Sequence, residues 1–452
     1  MNLPKHLGKM NAAIASITRT KFLPLASVAL CAFFYVLPVR AGEGDFFADV
    51  VIPIVPGTGS LAHRVDFEAP GSFNYGAGWA GTGFGLSGTQ RGAPEEIWQD
   101  TPPPGGLEGS TRALFFRRLE RTPEWYEQHP GAVGHPVYGQ PDPVNQDDFF
   151  VYAGNFTAED RFSITVRVYV NLGRTARATF GLRTTAVVEN TNVEPSEMRN
   201  VWPAIWLFKA DGGDGVFSDL RAFIRSPYGN YSEYIDLPDI AGWWTLGISF
   251  DESGDIHYFA RPGAEALCGS DYLASASRYG SGRHFRRNID ASVMISTSNF
   301  DESEEGSVQI MDDIMIHTGG LDFYDLWAAD YFPEDAFESG RANGMAARSF
   351  DANGSGQTNF EEYIIGNHPL TSNPPFGLGM EVDGNEMNLA FPSKANRSYT
   401  LERSTDLKDW EPFLEGVEGT GAFMDFSEET TDEPAFYRLI VRPRYWVREM
   451  AP

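Results

Sequence analysis

FSITVRVYV, residues 162–170, decides the fold class. Phe162, Ile164, Val166, Val168 and Val170 alternate with Ser163, Thr165, Arg167 and Tyr169. A period of two belongs to a β-strand, whose side chains leave on opposite faces in turn. One face of this strand is therefore expected to be buried. Similar short runs recur at 179–188, 202–208, 219–225, 243–250, 256–261, 291–296 and 308–317, parted by turns of Gly, Asp, Asn and Pro. Many short strands at regular spacing predict a mainly β chain, with a large jelly-roll β-sandwich over residues 45–320. The composition agrees, because 47 glycines and 29 prolines supply turns while 42% apolar residues exclude wholesale disorder. Residues 88–148, rich in proline, read as long loops over one face of that scaffold.

Beyond residue 320 the pattern changes. Leu326, Trp327, Ala329, Tyr331 and Phe332 sit at helical spacing, and 321–372 reads as a small helical module. Pro369, Pro374 and Pro375 mark a linker. Strand-like runs return at 387–391, 398–403, 410–414, 421–426 and 435–441, which predicts a small C-terminal β-sandwich over 376–441. Residues 442–452 form a tail without assignment.

The first residues carry Lys5, Lys9, Arg19 and Lys21, then the apolar run 22–39 and the small residues Val39 and Ala41. This is the pattern of an export signal, residues 1–41, cut after Ala41. The expected compartment is secreted or cell-surface, with no stable membrane span after cleavage. An uncleaved anchor also fits, since a spanning helix needs only about 20 apolar residues. Cys31 lies inside the signal, so the mature chain would hold one thiol, Cys268, and no internal disulfide. With no His motif beside it, Cys268 is expected as a buried structural residue. A formal charge of −27, from 62 acidic and 35 basic residues, argues against nucleic acid as a partner.

The segment DANGSGQTNFEE, residues 351–362, carries the clearest chemistry. Asp351, Asn353, Ser355, Gln357, Asn359 and Glu362 occupy positions one, three, five, seven, nine and twelve of an EF-hand loop, with Gly356 at six. A hard cation needs several oxygens. Side chains on alternate residues converge when a glycine lets the backbone curl, and a glutamate at twelve closes the shell with two oxygens. Ca2+ is the expected cofactor. The same residues also suit an Asn/Gly-rich turn that binds nothing. Among the presumed ligands only Asp351 and Glu362 are charged, which implies affinity nearer the roughly 10⁻⁴ to 10⁻³ M of extracellular modules. A single loop suits a structural staple better than a paired sensor.

The run FDANGSGQTNFEEYIIGNHPLTSNP resembles the single calcium-loop segments, similar to dockerin and thrombospondin type 3 repeats, of secreted planctomycete and verrucomicrobial proteins. SYTLERSTDLKDW and AFYRLIV resemble the small β-module that ends such proteins. In the large domain, VWPAIWLF at 201–208 and WWTLGISFDESGDIHYFARPG from Trp243 resemble concanavalin A-like lectin/glucanase folds. VQIMDDIMIHTGGL resembles the closing strand of laminin G-like sandwiches, and Asp312 and Asp313 read as a structural pair. The glucanase resemblance implies two glutamates flanking an aspartate on the strand GVFSDLRAFIRS. Asp219 matches the aspartate, but Phe217 and Arg221 stand where the glutamates belong, so no catalytic residue is assigned.

A ligand-contacting edge is expected at Arg221, Arg225, Tyr228, Asn230, Tyr231 and Tyr234. Flat rings stack on sugars, and the arginines can meet an anionic glycan. Ordinary strand and hairpin roles fit the same residues. Arg225, Tyr234 and His257 also resemble, in type, the chemistry of jelly-roll polysaccharide lyases. The expected function is a secreted calcium-binding modular protein whose jelly roll binds carbohydrate or another cell-surface polymer. A divergent glycoside hydrolase or polysaccharide lyase is the alternative, and a structural envelope or adhesion protein is a third.

Overall fold

The computed structural model describes residues 52–70, 84–86, 95–118, 124, 127, 145–171, 178–190, 197–211, 217–225, 232–252, 254–276, 283–284, 289–299, 308–333, 341–373, 376–429 and 435–444. The expected signal, residues 1–41, lies outside them. The chain is mainly β, as the alternation predicts.

One sheet has eight strands. Tyr272–Ala276, Ile256–Pro262, Gly242–Phe250, Ser163–Val170, Gln309–Thr318, Ala113–Arg118 and Glu95–Asp100 follow one another in space, and Ser60–Val65 pairs with Gln309–Thr318. The other has nine. Its order is Ser232–Asp236, Phe217–Arg225, Ala204–Asp211, Ala178–Asn190, Ile289–Asn299, Asn145–Phe156 and Phe84–Leu86, with Glu197–Val201 and Arg283–His284 also paired to Ala178–Asn190. Val166, Val168, Leu246, Ile248 and Ile316 from the first sheet meet Leu182, Ile205, Leu207, Ala222 and Ile224 from the second in one buried cluster. Burial of such side chains contributes roughly 1.5 to 3 kcal/mol each.

The founding strand departs from expectation in one respect, because both of its faces are buried. Ser163, Thr165 and Arg167 on its outer side are covered as fully as the valines. Segments distant in sequence roof them. Gly57 N donates to Ser163 Oγ, Arg167 Nε to Ala264 O, and Ser249 Oγ on the next strand to Ile54 O. Buried polar groups are tolerated because they are bonded in this way. Further along, Trp243 Nε1 donates to Pro103 O, 3.0 Å away, and Gly106 lies against the same indole. At these positions the outer face of the eight-stranded sheet is roofed by loops.

Two helices follow. Phe323–Tyr331 begins at a capping box in which Asp322 accepts from Asp325 N, and Asn359–Ile365 begins at another between Thr358 and Glu361. Gly366 ends the second helix at φ 87°, a left-handed cap that a residue with a Cβ adopts only under strain. Arg397 then donates to the terminal carbonyls of Tyr363 and Ile364, placing its charge at the negative end of the helix. Two three-stranded sheets complete the described chain: Gly379–Asp383, Glu386–Pro392 and Phe423–Glu429, and Glu411–Glu418, Arg397–Ser404 and Phe436–Pro443. Phe259 and Leu267 of the sandwich, Phe323, Tyr324, Tyr363 and Ile364 of the helices, and Phe391, Tyr399 and Val441 of the terminal sheets share one buried cluster. Pro369, expected in a linker, is buried.

Candidate functional sites

The nine-stranded sheet has an outer face as well. Ala222 and Ile224 point into the core, so Arg221, Phe223 and Arg225 on the same strand point outward. Backbone pairing aligns Phe223 with Tyr234 on one side and with Trp206 on the other, and Trp206 with Gly181. Three aromatic rings therefore stand in a row across three strands. Phe223 lies 5.0 Å from Tyr234 and 5.4 Å from Trp206, centroid to centroid, both pairs tilted. Tyr234 is 57% exposed, a large apolar ring left in solvent at the sheet edge. At the other end Gly181 gives the indole its seat, since a Cβ there would lie 1.9 Å from Trp206 Cδ1.

Arg221, Arg225 and Tyr234 of the expected edge are thus brought to one face, whereas Tyr228, Asn230 and Tyr231 lie outside the described residues. Arg221 Nε is 2.8 Å from Asp236 Oδ1, an ion pair whose approach is too oblique for a hydrogen bond. Its charge is partly answered within the sheet, which weakens the case for an anionic ligand. Alternation alone does not single out Trp206 or Phe223. Their joint position needs the cross-strand register.

His257 does not join Arg225 and Tyr234. It is fully buried on the roofed side of the other sheet, with Nε2 3.3 Å from Asp251 Oδ2. The Arg/Tyr/His constellation is therefore corrected: its members stand on opposite sides of the sandwich. Cys268 is also corrected. It is exposed at a turn, its sulfur 3.1 Å from Ser270 Oγ and 3.2 Å from Asp271 Oδ2.

Asp312 and Asp313 sit where the closing strand bulges, Asp313 at φ 51°. Asp313 pairs with Arg64 and lies 3.8 Å from Arg167. Asp312 accepts from Ser110 Oγ at 2.8 Å. Burial, aided by the neighbouring Asp313 charge, raises the Asp312 carboxyl from 3.8 to about 7, although the Ser110 bond pulls it down.

The loop 351–362 is closed at its base by Asn359 N to Phe350 O and Phe360 N to Arg348 O. Inside it, Asp351 accepts from the Ser355 and Gly356 amides, and Asn353 Oδ1 from Ser355 N. Gly354 and Gly356 supply φ of 69° and 87°, which lets the chain curl. Ser355 Oγ and Asn353 Nδ2 both reach Glu362 Oε1, at 3.0 and 3.1 Å. Glu362 is only 1% exposed, and among the described residues no basic side chain lies within ion-pair distance of it. Gln357 Oε1 is buried with no hydrogen-bond partner among them. Asn359 departs from its expected ligand role. Its amide donates to Met345 O and Ala347 O and accepts from Ala352 N, so the side chain ties the loop to the preceding segment. Among the described residues no three His, Cys, Asp or Glu gather as metal ligands; of the three carboxylates in this loop, Glu361 is taken up by the Thr358 cap, which leaves Asp351 and Glu362.

No protein-family model matches the chain, and no curated protein does. Solved structures with a partial likeness include the CBM2 module of Lactobacillus casei BL23 phage J-1 evolved Dit, with a TM-score of 0.32 and 12% identity over 59% of this chain and 98% of that one. The globular domain of T. cruzi calreticulin gives 0.30 and 10%, over 61% and 94%. The Emp47p carbohydrate recognition domain gives 0.25 and 10%, over 58% and 98%. Among the described residues no helix is long and apolar enough to cross a membrane.

Proposed function

We propose that this chain is an exported binding protein whose large sandwich takes a carbohydrate or another cell-surface polymer on the outer face of its nine-stranded sheet. The row Tyr234, Phe223 and Trp206 carries this reading. Rings left on a sheet face away from the core offer flat apolar area to the CH faces of sugars, while Arg225 and Asp236 beside them offer polar contacts. Among the described residues the central strand of the opposite sheet is covered on its outer side at Ser163, Thr165 and Arg167.

Calcium in the 351–362 loop is the second part of the proposal. Asp351, Asn353, Ser355, Glu362 and the Gln357 carbonyl would hold it, supplying oxygens to a hard cation. The donor chemistry supports this, because a buried carboxylate without a basic partner is costly and a divalent ion offsets that cost. Its role would be to fasten the 321–372 module between the 45–320 sandwich and the 376–441 sheets.

A glycan array probed with the full chain tests the main reading. Wild type should retain a defined polymer without shortening it, and Tyr234→Ala with Trp206→Ala should lower retention at least tenfold. Unchanged retention in the double variant would remove the aromatic row from the site. Release of reducing ends or unsaturated products would replace binding with catalysis.

A further inference from the structure

Glu362 receives hydrogens from beyond its own loop. Asn373, in the segment after the second helix, places Nδ2 3.4 Å from both Glu362 oxygens, 2.8 Å from His368 O and 3.0 Å from Thr371 O. Asn353 Nδ2 reaches Thr371 O at 2.6 Å as well as Glu362 Oε1 at 3.1 Å. One amide nitrogen thus sits among four oxygens, yet an amide carries two hydrogens. The donors that share these oxygens, the Asn353 and Asn373 amides and the Ser355 hydroxyl, are all neutral, while Glu362 is buried. A cluster of inward oxygens around a buried carboxylate suits a hard cation.

The loop, meanwhile, is one ligand short of its pattern. Asn359, the ninth position, is bonded to Met345, Ala347 and Ala352 and faces the scaffold. We infer that the segment 368–373 completes the calcium shell, with Asn373 as a side-chain ligand and Thr371 O as a carbonyl ligand. Turning the Asn373 amide over exchanges its nearly isosteric N and O, which presents Oδ1 to the ion with little other movement. This rests on the calcium reading and extends it. The site is then built from both sides of the helix Asn359–Ile365 and cannot form in the twelve-residue loop alone.

The segment leads directly to Phe376, whose ring lies 6.4 Å from Tyr399 of the terminal sheets. An ion held by Asn373 therefore also fixes the start of the C-terminal module.

Calcium titration of the full chain by calorimetry, with terbium luminescence as a second readout, tests the inference on wild type, Asn373→Ala and Asn373→Asp. Asn373→Ala should weaken the dissociation constant about tenfold. Asn373→Asp should tighten it by a similar factor, because an added carboxylate raises the ligand charge. If wild type binds calcium and both variants keep its affinity, segment 368–373 is outside the shell and the inference falls, while the loop site stands. If wild type shows no binding at millimolar calcium, the loop reading falls and takes this one with it. Should Asn373→Ala fail to fold, which its melting curve in EDTA would reveal, Asn373→Asp decides alone.

Discussion

Replacing Asp312 by Asn should stabilise the protein at neutral pH and leave it almost unchanged in acid. Asp312 is 1% exposed and titrates at about 7 in the folded chain, against an ordinary 3.8. Its folded value is raised, so the folded state binds the proton more tightly than the unfolded one. The stabilisation that comes with the proton is complete below about pH 4 and is lost as pH rises towards 7. Three pH units at 1.36 kcal/mol each amount to about 4 kcal/mol. Asn imitates the protonated acid, keeps an oxygen for the Ser110 hydroxyl and cannot ionise. Asp313, with its partners Arg64 and Arg167, is left in place. Urea unfolding followed by tryptophan fluorescence from pH 4 to pH 8 is the assay. The advantage of Asp312→Asn should be near zero at pH 4 and approach 4 kcal/mol at pH 8. A difference that stays constant across that range would refute a raised carboxyl at this position.

Gly181→Ala should force the Trp206 indole off its seat, since the added Cβ would lie 1.9 Å from Cδ1. A cost of about 1 to 3 kcal/mol is expected, together with weaker polymer retention. Adding Trp206→Ala should restore stability without restoring retention, and failure to recover stability would show that the strain lies elsewhere. Arg161→Met removes the guanidinium that lies 3.0 Å from Asp322 and 2.8 Å from Asp325, all three groups being buried. Two carboxylates then lose one of their counter-charges, and urea unfolding should record a loss of about 3 to 5 kcal/mol. A loss below about 1 kcal/mol would mean that Arg348, which also pairs with Asp322, suffices.

Local features were legible in the sequence, and features made by distant partners were not. Residues 162–170 announce a strand because the period of two is written within nine residues. Their second buried face could not be read, because its cover comes from Gly57 and Ala264, roughly a hundred residues away on either side. The calcium loop is recognisable from spacing, yet Asn359 is drawn aside by carbonyls at 345 and 347, which the loop pattern does not contain. Tyr234, Phe223 and Trp206 lie in three separate strands. Only the register that aligns them turns three scattered rings into one surface. Asn373 reaches Glu362 only because the chain turns back after Gly366, beyond the helix that holds Glu362.

The buried cluster running from Phe259 through Tyr324 and Tyr363 to Tyr399 leaves no clean place to cut the gene. Division near residue 320 or 372 would strip aromatic surface on both sides of the break, and the pieces would tend to aggregate rather than fold as independent parts. Recombination that shuffled any one segment alone would meet the same penalty. Residues 52–444 should therefore travel through evolution, and through the laboratory, as a single cassette.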